Sequence, residues 1–278
     1  MQEYFTLEEI DQVTAAVRAR TAYSPKVGLI LGTGLGDLAD SIQNPDVINF
    51  NEIPLWPTST VMGHKGRLVI GMLEGVPVLV MQGRIHYYEG YSMAQVTLPI
   101  RVMQRLGIET LVVTNAAGAI NPEYEPGDVM IITDHISMIT MGGANPLRGP
   151  NLDAFGDRFP DMSQPYDRQL IAKADAIAAE AGLEIKHGVY VGLAGPSFET
   201  PADLRFLHLI GSDSVGMSTV PEVIVARQGK MRVLGLSGIS NKANLDGNTI
   251  TTHEEVLEAG KVLVPKMVTL IRGVLKSL

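Results

Sequence analysis

An α/β fold is predicted by three observations. Short runs rich in Val, Ile and Leu alternate with segments whose apolar residues recur at helical spacing. Capping residues mark where the helical segments begin, and Gly, Pro, Asn and Asp mark where runs end. The composition, 45% hydrophobic and 19% charged over 278 residues, supplies a core without covalent staples. No internal repeat, low-complexity tract or linker-like shift divides the chain, so one domain over residues 1–278 is expected.

The elements follow in order. Thr6-Leu7-Glu8-Glu9 is a capping box opening an amphipathic helix to about Arg20, with Ile10, Val13 and Val17 on one face. Residues 27–31 form a short buried strand, and 37–41 a short helical run. Residues 68–72 and 76–81 bracket Glu74-Gly75, a hairpin turn signal. Ser92 and Gln95 form a second capping box, for a helix ending near Gly107. Strands are expected at 111–114 and 129–133. Residues 140–165 are irregular and rich in Gly, Pro, Asn and Asp, and a loop of that length usually carries function or contacts a neighbour. Asp167 caps a helix to Ala181, closed by Gly182; strands follow at 189–193, 214–217 and 233–237. Thr219-Val220-Pro221-Glu222 reads as a helix cap, as does Thr252-His253-Glu254-Glu255 for the last helix, which Pro265 should kink or break.

Composition also excludes classes of function. A net charge of −8 without a Lys/Arg cluster argues against a nucleic-acid partner. No apolar run approaches the ~18–20 residues of a membrane helix. The absence of cysteine rules out disulfides and thiolate metal sites. Residues 1–10 carry Glu3, Glu8 and Glu9 and no base, unlike a secretory leader, so a cytoplasmic location is expected.

Polar segments cluster where strands end. Gly32-Thr33-Gly34-Leu35-Gly36 follows a strand and precedes a helical run, a place that suits a small anion or a tight structural turn. It lacks the Lys of a P-loop, and Asp37 stands where the dinucleotide fingerprint needs glycine. In Gly83-Arg84-Ile85-His86-Tyr87-Tyr88, a continued strand period would put Arg84, His86 and Tyr88 on one face, where guanidinium and imidazole suit a phosphate. His64, in Gly63-His64-Lys65-Gly66, either donates to an anion or faces water. Thr114-Asn115-Ala116-Ala117-Gly118, Val215-Gly216-Met217-Ser218 and Ser240-Asn241-Lys242 end further strands. In α/β sheets ligands sit at carboxyl ends of strands, so these groups can converge.

The most specific stretch is Ala194-Gly195-Pro196-Ser197-Phe198-Glu199-Thr200-Pro201-Ala202. Phe198 offers a face for stacking and Glu199 an acceptor for a heterocycle's N–H edge. Thr200-Pro201-Ala202-Asp203 pins the far end of the loop as N-cap, first-turn proline and acidic N3 residue.

Gly-His-x-Gly-Arg-Leu, Gly-Arg-x-His-x-Tyr-Glu-Gly, Thr-Asn-Ala-Ala-Gly and the Phe198 stretch occur in that order, followed by Asn-Lys and His-Glu-Glu-Val. From about residue 27 to 256 the chain resembles the trimeric class of purine nucleoside phosphorylases. The resemblance implies a three-layer α/β/α fold with a mixed central β-sheet. It implies phosphorolysis of purine (2′-deoxy)ribonucleosides, inosine and guanosine preferred, to free base and (2-deoxy)ribose 1-phosphate. Phosphate would be held by Thr33, His64, Arg84, His86, Asn115, Ala116 and Ser218. Tyr88, Phe159, Met217 and His253 would contact the ribose, with His253 near its 5′ hydroxyl. Phe198, Glu199, Val215, Gly216 and Asn241 would hold the purine. The catalytic set would be His86, Glu199 and Asn241. No metal or cofactor is implied, inorganic phosphate being a substrate, and the assembly would be a homotrimer in which Phe159 reaches a neighbouring site. Two departures, Thr33 where the family often has serine and Ser240 where threonine is common, both keep a hydroxyl.

Three other readings compete. A 5′-methylthioadenosine phosphorylase of the same fold would want an aspartate at position 241, where this chain has asparagine. A nucleoside- or phosphate-sensing module needs affinity but no donor to a leaving group. A dinucleotide-dependent oxidoreductase would rest on the glycine-rich turn alone.

Overall fold

A computed structural model describes residues 2–61, 63–243 and 253–278, with the side chains of 253–257 outside the description. In chain order the elements are α1 (Leu7–Arg18), β1 (Val27–Leu31), β2 (Gln43–Asn49), β3 (Arg67–Leu73), β4 (Val76–Gln82), α2 (Met93–Leu106), β5 (Thr110–Ala119) and β6 (Val129–Ile136). There follow α3 (Met138–Met141), α4 (Arg168–Glu180), β7 (Ile185–Gly192), α5 (Pro201–Leu209), β8 (Ser214–Gly216), α6 (Val220–Gln228), β9 (Arg232–Lys242) and α7 (His253–Lys276).

The sheet is mixed, in the order β2-β3-β4-β1-β5-β8-β7-β6-β9, and a further β5–β9 pairing closes its second half into a ring of strands. Helices cover both faces. On β1, Ile30 packs with Leu79, Met81, Leu111 and Val113 beneath α1, α2 and α6. Its neighbours Leu29 and Leu31 face the other way, against Val78, Val80 and Val112 and the α4 and α7 residues Leu170, Leu263, Met267 and Leu270. A strand buried on both faces needs apolar residues at every position, which is why β1 reads as an uninterrupted apolar run. A smaller cluster, Ile120, Val191, Leu204, Leu207 and Val215, seats α5.

The capping boxes form as read. The Thr6 hydroxyl accepts from the Glu9 amide, Ser92 from Gln95 and Thr200 from Asp203, each with the reciprocal bond. Glu74 and Gly75 take φ of 53° and 79°, the left-handed pair that a two-residue hairpin requires. Asp167 caps α4 through the Gln169 and Leu170 amides.

Several expectations are corrected. β2 was not foreseen: it is an exposed edge strand containing Pro45, with a register shift between Gln43 and Asp46, so it shows no apolar alternation. β5 and β9 run past their apolar cores to Ala119 and Lys242, because their parallel pairing satisfies both backbones. The strand period of β4 does not carry on to Tyr88. It stops at Gln82, where Gly83 turns with φ 103° and approaches His64 so closely that a Cβ would meet the His64 Cβ at 2.7 Å. Thr219 makes no side-chain capping bond. α7 continues through Pro265, its buried face of Leu263, Met267, Leu270 and Ile271 held in the core. Thr252 lies outside the described residues.

Candidate active site

β4, β1, β5 and β9 run parallel to one another, so their carboxyl ends open at one edge of the sheet. There lies a cavity of about 440 Å³, lined by Gly32 and Thr33 after β1, Arg84, His86 and Tyr88 after β4, Asn115 to Gly118 on β5, and Ser240 and Asn241 on β9. The size suits a nucleoside-sized ligand. His64, Phe198, Glu199, Val215, Gly216, Met217 and Ser218 complete the wall from neighbouring loops. The approach of β1 to β5 is tight. The Gly32 amide donates to Thr114 Oγ1 at 2.9 Å, and a Cβ on Gly32 would meet the Thr114 carbonyl at 2.7 Å.

One end of the cavity is rich in donors. Arg84 is 2% exposed, the one buried Arg or Lys among the described residues. Its Nη1 donates to Ser218 Oγ at 2.6 Å and to Thr219 Oγ1 at 3.1 Å. Its Nε faces Glu222 Oε1 at 3.3 Å, an ion pair without hydrogen-bond geometry, and Nη2 is buried with no partner among the described residues. Glu222 is itself buried and one of its oxygens is unpartnered. A desolvated pair so loosely joined keeps capacity for an anion. His64 lies beside it, with Nδ1 3.1 Å from the Arg84 carbonyl and 3.3 Å from the Arg84 amide. The backbone can thus serve either tautomer, and Nε2 is buried without a partner among the described residues. Burial, then the nearby charges of His86 and Arg84, push the His64 pKa down to about 4, so the ring is neutral at pH 7.

Three rings line up along this wall. His64 and His86 stack at 5.4 Å between centroids, and His86 and Tyr88 at 4.7 Å. His86 is oriented by Glu89, whose Oε1 accepts from the His86 amide at 2.7 Å and lies 3.1 Å from Nδ1. The other Glu89 oxygen accepts from the Thr60 amide at 2.5 Å and hydroxyl at 2.7 Å. Burial alone would raise the Glu89 pKa, but the bonds from His86 and Thr60 outweigh it and hold the group at about 2. An ionised Glu89 facing Nδ1 favours the tautomer with the proton on that nitrogen.

The cavity wall also presents a ring, a carboxylate and an amide. Phe198 is half exposed; Glu199 is more enclosed, and burial, assisted by Asp203, raises its pKa above the usual carboxylate value. The aim of Asn241 comes from a β-bulge. β9 pairs Ile239 with Ala117 and then Asn241 with Gly118, leaving Ser240 as the extra residue. Ser240 Oγ lies 2.8 Å from Asn241 Oδ1, which leaves the amide Nδ2 as the donor. Among the described residues that Nδ2 makes a single, long bond, 3.3 Å to the Lys242 carbonyl.

The structure therefore gathers Thr33, His64, Arg84, His86, Tyr88, Asn115, Ala116, Phe198, Glu199, Val215, Gly216, Met217, Ser218 and Asn241 around one cavity. Phe159 lies elsewhere. It is 88% exposed and borders a separate groove with Met141, Arg158 and Met162. The side chain of His253 lies outside the described residues. Sequence reading assigns to the site neither Glu89, Thr219 and Glu222, which support the wall (the last two being read as a helix cap), nor Val61 and Leu204, which line it. Only Glu89 left a signal, its spacing of three from His86.

Thr219 has an unusual backbone for a buried β-branched residue, φ 71° and ψ −54°. Such a conformation costs of order 1–3 kcal/mol and persists only when its surroundings enforce it.

Residues 26–276 match the family model described as the Phosphorylase superfamily. A protein from Bacillus subtilis named purine nucleoside phosphorylase 1 is 52% identical, over 96% of this chain and 97% of its own length. A purine nucleoside phosphorylase from Schistosoma mansoni crystallised with inosine superposes with a TM-score of 0.94 at 41% identity, covering 98% of this chain and 97% of the other. One from the same organism crystallised with adenosine gives 0.94 at 42%, covering 98% of each chain.

Proposed function

The chain belongs to the phosphorylase superfamily and within it to the purine nucleoside phosphorylases, and on that premise we propose how its residues divide the work. The reaction is phosphorolysis: a purine nucleoside and inorganic phosphate give free purine and ribose 1-phosphate. The observation that carries the assignment of roles is the composition of the cavity wall. Buried, hydrogen-bonded donors cluster around Arg84, and a ring, a carboxylate and an amide donor from other segments line the same cavity.

Phosphate is held at the Arg84 end by Thr33, His64, His86, Ser218 and the backbone at Asn115 and Ala116. The neutral His64 donates through Nε2. His86, fixed by Glu89, accepts from a protonated phosphate oxygen through Nε2 or donates once charged. The sugar lies between, against Tyr88 and Met217, with His253 near its 5′ hydroxyl. The base stacks on Phe198 with Val215 and Gly216 beside it.

Breaking the C1′–N9 bond leaves positive charge on the sugar and negative charge on the purine. Phosphate beneath C1′ stabilises the cation and then bonds to it. Asn241 Nδ2 donates to N7 as the base becomes an anion, and Glu199 accepts the N1–H. Aimed donors contribute on the order of 3–4 kcal/mol each where water is excluded. Holding phosphate and nucleoside in line adds roughly 7 kcal/mol or more. No step calls for a metal or a cofactor.

Glu199 also sets the preference. Inosine and guanosine present N1–H to the carboxylate, whereas adenosine presents a lone pair, and unpaired buried groups discriminate by roughly 10⁴-fold. Adenosine occupies crystals of one Schistosoma mansoni relative, so the preference proposed is one of turnover and not of admission. Initial rates with inosine, guanosine and adenosine at saturating phosphate test it; equal kcat/KM for adenosine and inosine would refute it.

Residues 1–278 act as one phosphorylase domain, in keeping with the single sheet of the described residues. The assembly is a homotrimer in the cytoplasm, in which exposed Phe159 closes the ribose side of a neighbouring site. The exposure of Phe159 and of Met141 beside it, 88% and 73%, supports the contact.

A further inference from the structure

We infer that Thr219 is a positioning residue for phosphate, acting through Arg84, Asn115 and Ser218 without reaching the cavity itself. The inference rests on the reading that this end of the cavity holds phosphate. Thr219 is fully buried, and the Val220 amide donates to the Ser218 carbonyl at 2.8 Å across it. With φ 71° and ψ −54° this is a γ-turn of the strained, positive-φ kind, centred on a residue type that avoids it. The hydroxyl does not cap α6. Instead Oγ1 accepts from Asn115 Nδ2 at 2.8 Å and from Arg84 Nη1 at 3.1 Å.

Proton counting gives the consequence. A hydroxyl has two lone pairs and one proton. Both lone pairs of Thr219 Oγ1 are taken, so in its 3.2 Å contact with Ser218 Oγ it is the donor. Ser218 Oγ then accepts from Thr219 and, at 2.6 Å, from Arg84 Nη1. Its own proton is left for the cavity it lines, as a donor to an anion. Both hydrogens of Arg84 Nη1 are likewise committed, which fixes the guanidinium plane and leaves Nη2 without a partner among the described residues. The γ-turn places one hydroxyl where it can reach two donors on β5 and after β4 together, which a helical Thr219 would not do.

The test is steady-state kinetics with phosphate and inosine varied separately in Thr219→Val, Thr219→Ser and Thr219→Gly. Losing the shared acceptor should raise the phosphate KM about tenfold or more in Thr219→Val, with the inosine KM changed less than about twofold. Thr219→Ser should restore the phosphate KM to within about threefold. Thr219→Gly relieves the backbone while removing the same acceptor, so it should still show the phosphate defect, with less loss of heat stability than Thr219→Val. A normal phosphate KM in the valine or glycine variant, equal damage to both substrates, or failure of serine to rescue overturns the inference. The parent enzyme, assayed alongside, keeps the two ideas apart: hypoxanthine released without phosphate would refute the phosphorolytic reading itself.

Discussion

Glu89 grips His86 twice, accepting from its backbone amide at 2.7 Å and facing its Nδ1 at 3.1 Å, while the second carboxylate oxygen ties down Thr60. The same carboxylate thus fixes the imidazole tautomer and anchors the segment leading to His64. Glu89→Gln keeps the shape and removes the charge. It should raise the phosphate KM about tenfold, as loss of an orienting carboxylate commonly does, with the inosine KM little changed. Isothermal titration with phosphate alone checks the binding half of that statement.

Glu222 lies 3.3 Å from Arg84 with both side chains buried. Glu222→Gln leaves the guanidinium unneutralised, and should cost about 3 kcal/mol in denaturant melts. Phosphate should recover more stability in this variant than in the parent, because its charge substitutes for the missing carboxylate. Equal stabilisation of both proteins by phosphate would contradict the shared electrostatics.

Removing the base-side groups should separate turnover from anion binding. Glu199→Ala and Asn241→Ala should each lower kcat/KM for inosine by about 10² or more, with phosphate affinity measured by titration nearly unchanged. Equal loss of both properties in Glu199→Ala would mean that the residue merely holds the fold.

Phe159 offers a test of the assembly. Phe159→Ala should raise the nucleoside KM about tenfold, through lost apolar contact with the ribose. Mixing subunits of Phe159→Ala with subunits of His86→Ala, then dissociating and reassembling them, should restore part of the activity, since some sites would receive both intact residues. No recovery, or a monomer by sedimentation, would remove Phe159 from the site.

Acid should weaken the fold through two histidines. His64 and His135 have pKa values lowered by burial to about 4 from an ordinary 6.5. Between those values the unfolded chain binds more protons than the folded one. Stability is therefore complete above pH 6.5 and falls as pH drops toward 4, by up to about 1.4 kcal/mol per pH unit for each histidine. His135→Gln should flatten that slope in urea melts at pH 4.5, 5.5 and 6.5.

Much of this is legible in the sequence. Local chemistry announced itself: the boxes at Thr6, Ser92 and Thr200 and the Glu74-Gly75 hairpin depend on residues within three or four positions of one another. Most of the gathered site residues are also visible, because they lie at or just after the ends of apolar strands in a recognisable order; His64, in a turn ahead of β3, is visible only through its motif. Relations between distant segments were not. The bulge at Ser240 that aims Asn241 exists only in the register of β9 against β5. The Arg84 to Ser218 bond spans 134 positions, and nothing local to Thr219 distinguishes a helix cap from a γ-turn. Pro265 misled in the opposite direction, since tertiary packing kept α7 continuous where local chemistry favoured a break.

The central claim is tested most directly by following phosphorus and purine together. With inosine and phosphate, ³¹P NMR should show orthophosphate converting to a sugar 1-phosphate, one for each hypoxanthine measured by chromatography, and hypoxanthine release should cease when phosphate is withheld. Undiminished release of hypoxanthine in phosphate-free buffer, with free ribose as the other product, would contradict the account.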